Sequence, residues 1–190
     1  MSTEKQILKT ARDIFFQKGY AGARMQEIAD LAGINKAMLH YYFKTKDQLF
    51  DRVFTDAFTV FTGKIAEILT SEASLDDKIR AYVHHTIDSL LEDPGIPVFV
   101  LHELTSNPEK IAGAFAINNT GFAVFEQQVH ERTSGKINAE HLFTDMVALC
   151  VYPFIAGPLL GKIMDKTPRQ YSALMEERKE YIIAGLINKL

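Results

Sequence analysis

The chain has one cysteine, Cys150, which excludes an internal disulfide and any multi-cysteine zinc site and fits a reducing cytosol. It has no convincing strand pattern, and therefore no glycine-rich phosphate loop of the kind that follows a strand. It also lacks a hydrophobic run long enough to span a membrane. The longest charge-free stretch, residues 146–161, is sixteen residues and is interrupted by Pro153 and Pro158, whereas a spanning helix needs roughly 20 apolar residues. A kinked, buried helix is the expectation there, with Gly157 and Gly161 allowing another helix to approach closely. The first twenty residues are amphipathic and contain Glu4 and Asp13, which does not describe a secretory start. The histidines are scattered (His84 and His85, His102 beside Glu103, His130 beside Glu131, His141), and none falls into H-E-x-x-H or another metal-ligand spacing. Cys150 lies on an apolar face and reads as inert core. These absences lead to the expectation of a cytoplasmic protein with no cofactor, no metal and no catalytic residues, and so not an enzyme.

What is present suits a folded helical protein. The 190 residues are 47% hydrophobic and 24% charged, enough to bury a full core. The net charge of −3 does not advertise a polyanion partner, but its distribution is uneven. Residues 1–50 carry eight Lys/Arg against five Asp/Glu, and residues 51–190 carry thirteen against nineteen. A small basic module on an acidic body suits a chain that meets phosphate at one end only.

The organising stretch is residues 19–46, which read as two short helices around a tight turn, followed by the start of another helix. Ile28, Ala29 and Ala32 share an apolar face. Gly33 can adopt a positive φ just past a helix end, Ile34 plugs the corner, and Asn35 stands where an N-cap belongs. The next helix turns Leu39 and Phe43 inward. It leaves Ala37, His40, Tyr41 and Lys44 on the opposite face, with Met38 and Tyr42 on the borders. Aromatic rings and a lysine on an exposed helix face need a partner, and a glycine turn before such a helix is the pattern of a helix-turn-helix.

On these residues the chain resembles the DNA-binding domain of the tetracycline-repressor (TetR) family. The resemblance is carried by Gly19, Tyr20, Met25, Ile28, Ala29, Ala32, Gly33, Ile34, Lys36, Leu39, Tyr42, Phe43, Lys46 and Leu49. Ala23 and Arg24 depart from the Thr or Ser usual in the family, Ala37 from Gly, and Met38 from Thr; Asn35 replaces a common Ser but can still cap. The resemblance implies a homodimer reading a two-fold symmetric operator. The third helix would enter the major groove with Lys36, Ala37, Met38, His40 and Tyr41 nearest the bases. Tyr42 and Lys46 would bind phosphate, joined by Arg24, which the family pattern does not include.

The remaining chain reads as helices separated by polar breaks. A first helix is expected over residues 4–18, with Thr3 and Gln6 at capping-box spacing. Thr45 and Gln48 announce a long helix to about residue 70. This helix begins beside the reading unit and runs into the second domain, where the resemblance makes it the relay between ligand and DNA. Ser74 opens a helix to about residue 92, and the run Asp93, Pro94, Gly95, Ile96, Pro97 is the clearest loop signal in the chain. Helices are then expected over residues 98–105, 109–132, from about 139, and from 168 to the C-terminus. The resemblance makes the last two long helices the dimer interface. Phe58, Phe61, Phe99, His102, Phe115, Asn118, Asn119, Phe122 and Tyr152 are candidates to line an amphiphilic ligand pocket between helices.

The expected architecture is therefore all-α, with about nine helices. A three-helix helix-turn-helix domain over residues 1–46 precedes a larger helical effector-binding and dimerisation domain over residues 47–190. The expected partners are double-stranded operator DNA, a second copy of the chain and an apolar or aromatic small molecule, with no membrane. The expected function is sequence-specific transcriptional regulation, as a repressor released by that ligand. Two alternatives stay open: a helical ligand sensor or carrier that binds no DNA, and a regulator without a small-molecule effector.

Overall fold

In a computed structural model, which describes residues 2–93, 96, 97, 101, 109 and 119–190, the described residues form nine helices and no strand. The elements are α1 (Thr3–Gly22), α2 (Met25–Leu31), α3 (Lys36–Tyr42), α4 (Lys46–Thr70), α5 (Leu75–Glu92), α6 (Asn119–Thr133), α7 (Ala139–Ile155), α8 (Gly157–Ile163) and α9 (Pro168–Ile187). The helix expected over 98–105 and the first part of that expected over 109–132 lie outside the described residues.

Helix starts follow side-chain caps. Asn35 accepts from Met38 N at 2.8 Å, Thr45 from Gln48 N at 3.1 Å and Ser74 from Asp77 N at 3.2 Å; each satisfies an amide with no partner inside its helix. The first helix differs from expectation at both ends. Its cap is Ser2, which accepts from Lys5 N, not Thr3. Gln6 instead donates through Nε2 to the Ala32 carbonyl at 3.0 Å, tying α1 to the end of α2. At the other end Gly19 does not stop the helix outright. It takes a left-handed φ of 66°, kinks the chain, and one more turn follows to Gly22.

Two cores form, and α4 runs through both. The head core collects Ile7, Ala11, Ile14 and Phe15 of α1 with Ala23, Ile28, Ala29, Ala32, Leu39 and Phe43, and closes on Leu49, Phe50, Val53, Phe54 and Phe58 of α4. The body core begins farther along the same helix, at Ile65, Ile68 and Leu69, and gathers the apolar faces of α5, α6, α7 and α9. Residue 46 is thus the start of a helix rather than a break in packing, because the first half of α4 completes the head core.

The far end of α4 is held by two contacts. Gly121 of α6 lies so close that a Cβ there would stand 3.2 Å from the Leu69 Cβ. Lys78 of α5 is 1% exposed, and its Nζ donates to the Leu69 carbonyl at 2.7 Å. A cation at a helix C-terminus is favourable with the dipole and supplies a donor to an end carbonyl.

The charge-free stretch is bent, as its prolines require. α7 and α8 meet at 73°. The Tyr171 hydroxyl donates to the Pro153 carbonyl at 2.7 Å, replacing a bond the broken helix cannot make, and the ring lies against Gly157, where an added Cβ would meet Cε1 at 3.3 Å. No single helix among the described residues is long and apolar enough to cross a membrane.

Burial pushes the Lys78 ammonium below the ordinary lysine range. The unfolded chain then holds more protons between the folded and unfolded values, so stability rises with pH across that window. Denaturant midpoints should therefore increase as pH rises toward the ordinary lysine value of about 10.4. Lys78→Met should flatten the rise; an unchanged slope in that variant would remove Lys78 as its cause.

Candidate nucleic-acid interface

The turn before α3 is built as its residues dictate. Gly33 takes φ 67°, which L side chains rarely adopt, and Ile34 N returns to the Ala29 carbonyl at 3.0 Å. The chain can therefore reverse within Ala32, Gly33, Ile34 and Asn35 and start α3 at a fixed angle to α2. Within α3 only Leu39 is buried. Lys36, Ala37, Met38, Tyr41 and Tyr42 are exposed, Tyr41 to 82%. The Tyr41 and Tyr42 rings meet edge to face, with centroids 5.5 Å apart. His40 is half-buried, with Nδ1 3.2 Å from the Lys44 carbonyl. That contact turns the imidazole toward the C-terminal end of α3.

The other candidate contacts flank this helix. Arg24 is exposed at the N-cap of α2 and makes no capping bond, while its neighbour Ala23 is buried in the head core. An apolar residue seals the core where a capping hydroxyl would otherwise stand. Lys46 opens α4, half-buried, with its ammonium 4.4 Å from the centroid of the Tyr20 ring. The Tyr20 hydroxyl donates to the Asp47 carboxylate. This bond, with partial burial, pushes the phenol up to about 12. Neither Tyr20 nor Asp47 was among the expected site residues. Gly19 and Tyr20 stood out in the sequence, but a partner 27 residues away cannot be read from spacing.

Among the described residues, the expected ligand residues Phe58, Phe61, Phe122 and Tyr152 do not converge. Phe58 is 3% exposed in the head core and stacks on Phe54 at 5.0 Å; a ring enclosed by its own core has no face left for a ligand. Phe61 lines an open groove of about 920 Å³ between α1, α4 and α5, with Phe16, Val60 and His85. There His85 Nε2 lies 3.1 Å from the Phe61 carbonyl, and Arg12 of α1 pairs with Asp93 just past α5. Phe122 packs half-buried in the body core against Phe125 and Phe143. Tyr152 is 59% exposed and borders a different groove, about 550 Å³, with Met164, Tyr171 and Tyr181. Phe99, His102, Phe115 and Asn118 lie outside the described residues, as does the side chain of Asn119.

Of the remaining histidines, His84 stands 3.4 Å from Glu180 at the surface, and His130 and His141 are exposed. Among the described residues no group of three or more His, Cys, Asp or Glu could hold a metal ion. Cys150 is buried, and its thiol is pushed up to about 12 by that burial, so it carries no nucleophile.

Residues 7–53, the head core and its exposed third helix, match the family of bacterial regulatory proteins, tetR family. Over those residues the chain is similar to the tetR family. Among relatives, the transcriptional repressor NicS of Pseudomonas putida is 30% identical over 92 residues, 48% of this chain and 43% of NicS. RutR of Escherichia coli is 47% identical over 47 residues, 25% of this chain and 22% of RutR. The chain thus spans less than half the length of either. YttP of Bacillus subtilis aligns along 96% of this chain and 93% of its own length at 22% identity. Two solved structures share the whole fold: SCO4942 from Streptomyces coelicolor (TM-score 0.75, 15% identity, 99% of this chain and 98% of that one) and the fatty acid degradation regulator FadR from Bacillus halodurans (TM-score 0.64, 17% identity, 98% and 97%). The tetR family is one of regulatory proteins rather than enzymes.

Because Tyr41 is so exposed, its removal should leave the fold intact. Tyr41→Ala should abolish binding to operator DNA while the helical signal and unfolding midpoint stay at wild-type values; unchanged affinity would discard α3 as the reading helix.

Proposed function

We propose that this chain is a homodimeric repressor that binds a palindromic operator through α3 and releases it when a small molecule binds the body. The observation that carries the reading is α3 itself. It is a seven-residue helix with one buried side chain, set at a fixed angle by the Gly33 turn, and it presents two tyrosines, a methionine and a lysine outward. Lys36, Ala37, Met38, His40 and Tyr41 read base edges, while Arg24, Tyr42 and Lys46 hold phosphate. Phosphate contacts supply affinity and register, and the α3 face supplies sequence preference. The head over residues 1–46 reads, and residues 47–190 pair and respond.

Pairing runs through the C-terminal helices. Tyr152, Ile155, Leu159, Ile163 and Tyr181 on α7, α8 and α9, with Met164 just past α8, are exposed large apolar side chains, an amount of apolar surface that a second copy would cover. Repression agrees with the role of NicS as a transcriptional repressor. The effector is apolar or aromatic, in keeping with the ring-rich walls of the body, and it acts by population shift, favouring a conformation whose two heads no longer match the half-site spacing.

The test is selection of bound sequences from random duplex DNA, repeated across a salt series. A two-fold symmetric site should be enriched, with affinity falling steeply as salt rises. Failure to enrich any sequence, in protein stripped of bound ligand by unfolding and refolding, would favour the sensor or carrier that binds no DNA.

A further inference from the structure

Lys46 and Asp47 are adjacent in the first turn of α4, which creates a conflict on the reading given above. A lysine that binds a backbone phosphate has a carboxylate beside it, and the carboxylate repels the same phosphate. Tyr20 touches both. Its ring face lies under the Lys46 ammonium at 4.4 Å, and its hydroxyl donates to Asp47 Oδ1. The ring is itself held, edge to face against Phe50 with centroids 5.1 Å apart and 6.4 Å from Phe15. The left-handed Gly19 immediately before it turns the chain back toward α4.

We propose that Tyr20 is a positioning residue for DNA binding: its ring carries the Lys46 ammonium, and its hydroxyl holds the Asp47 carboxylate away from the phosphate that Lys46 binds. The proposal rests on the reading of Lys46 as a phosphate contact. A hydrogen bond to an ionised acceptor is stronger than a neutral one and directional, so it fixes the rotamer of Asp47 and draws part of its charge toward α1. A negative charge at a helix N-terminus is favourable for the helix alone, which gives Asp47 a reason to be present; the tyrosine makes it compatible with a polyanion nearby. Because the phenol stays protonated far above neutral pH, the donor remains in place throughout the range in which the protein would work.

Tyr20→Phe keeps the ring, its packing and the cation–π contact, and removes only the hydroxyl. In the full-length protein, operator affinity should fall about threefold per half-site, roughly tenfold for a dimer engaging both, from like-charge repulsion across a few ångströms of solvent. Its unfolding midpoint should stay near wild type. Adding Asp47→Asn to Tyr20→Phe should restore affinity to within about twofold, and Asp47→Asn alone should bind at least as tightly as wild type, because neither retains the repelling charge. Unchanged binding by Tyr20→Phe, a loss that Asp47→Asn does not rescue, or a large loss in Asp47→Asn alone would each overturn the proposal. Lys46→Met tests the underlying reading separately. Loss of a phosphate contact should weaken binding to all sequences and reduce the salt slope by about one per half-site. An unchanged slope would overturn Lys46 as a phosphate contact, and the Tyr20 role with it. A reduced slope alongside unaffected Tyr20→Phe would overturn the Tyr20 role alone.

Discussion

Everything in this molecule is referred to one continuous helix. α4 carries Leu49, Phe50, Val53, Phe54 and Phe58 into the head core and Ile65, Ile68 and Leu69 into the body core, with no proline and no break between them. The only buried polar side chain along it, Thr62, donates to the Phe58 carbonyl at 2.9 Å and so needs no outside partner. A rod whose two ends belong to different cores cannot tilt at one end without displacing the other. At the body end Gly121 and Lys78 hold it by close approach and by a carbonyl bond; at the head end Thr45 caps it and Tyr20 joins α1 to its first turn. The angle at which α3 is presented is therefore a property of the whole chain. A change of packing in the body has a mechanical path to the head, which the proposed release by a ligand would use.

The conflict of charge within the chain is resolved by placement. The body is acidic and the first fifty residues are basic, a distribution that on the proposed reading confines attraction to phosphate to the head. Within the head, two carboxylates are tied to partners, Glu27 to Lys18 and Asp47 to Tyr20. These pairs are exposed and add little to stability. Their effect lies in the direction of the field the head presents.

What could be read in the sequence was local. Gly33 after an apolar helical face, Asn35, Thr45 and Ser74 at cap positions, and the uninterrupted run after Lys46 each signal structure within a few residues, and α3, α4 and α5 begin where these signals place them. The two-proline bend was equally legible, since Pro153 and Pro158 act on the adjacent backbone. Features that depend on distant partners were not. Gln6 had capping-box spacing from Thr3, yet its amide found the Ala32 carbonyl across the head and the cap fell to Ser2. Phe58 was a candidate to line a ligand pocket, and only the packing of α1 against α4 assigns it to the head core. Nothing near Lys78 in the sequence marks it as buried, because its partner is the Leu69 carbonyl of α4. For the site, the α3 face was visible because it is one helix; the support of Lys46 by Tyr20 was not, because it joins residues brought together by folding.

The central claim is that α4 is one rod through two cores, and native-state amide hydrogen exchange along it is the most direct measurement. A single rod predicts unbroken protection from Phe54 through Ile65, with the amides between the two cores exchanging as slowly as those flanking them. Fast exchange confined to the turn around Thr59 and Val60, with protected amides on either side, would show two independently moving halves and would contradict the account.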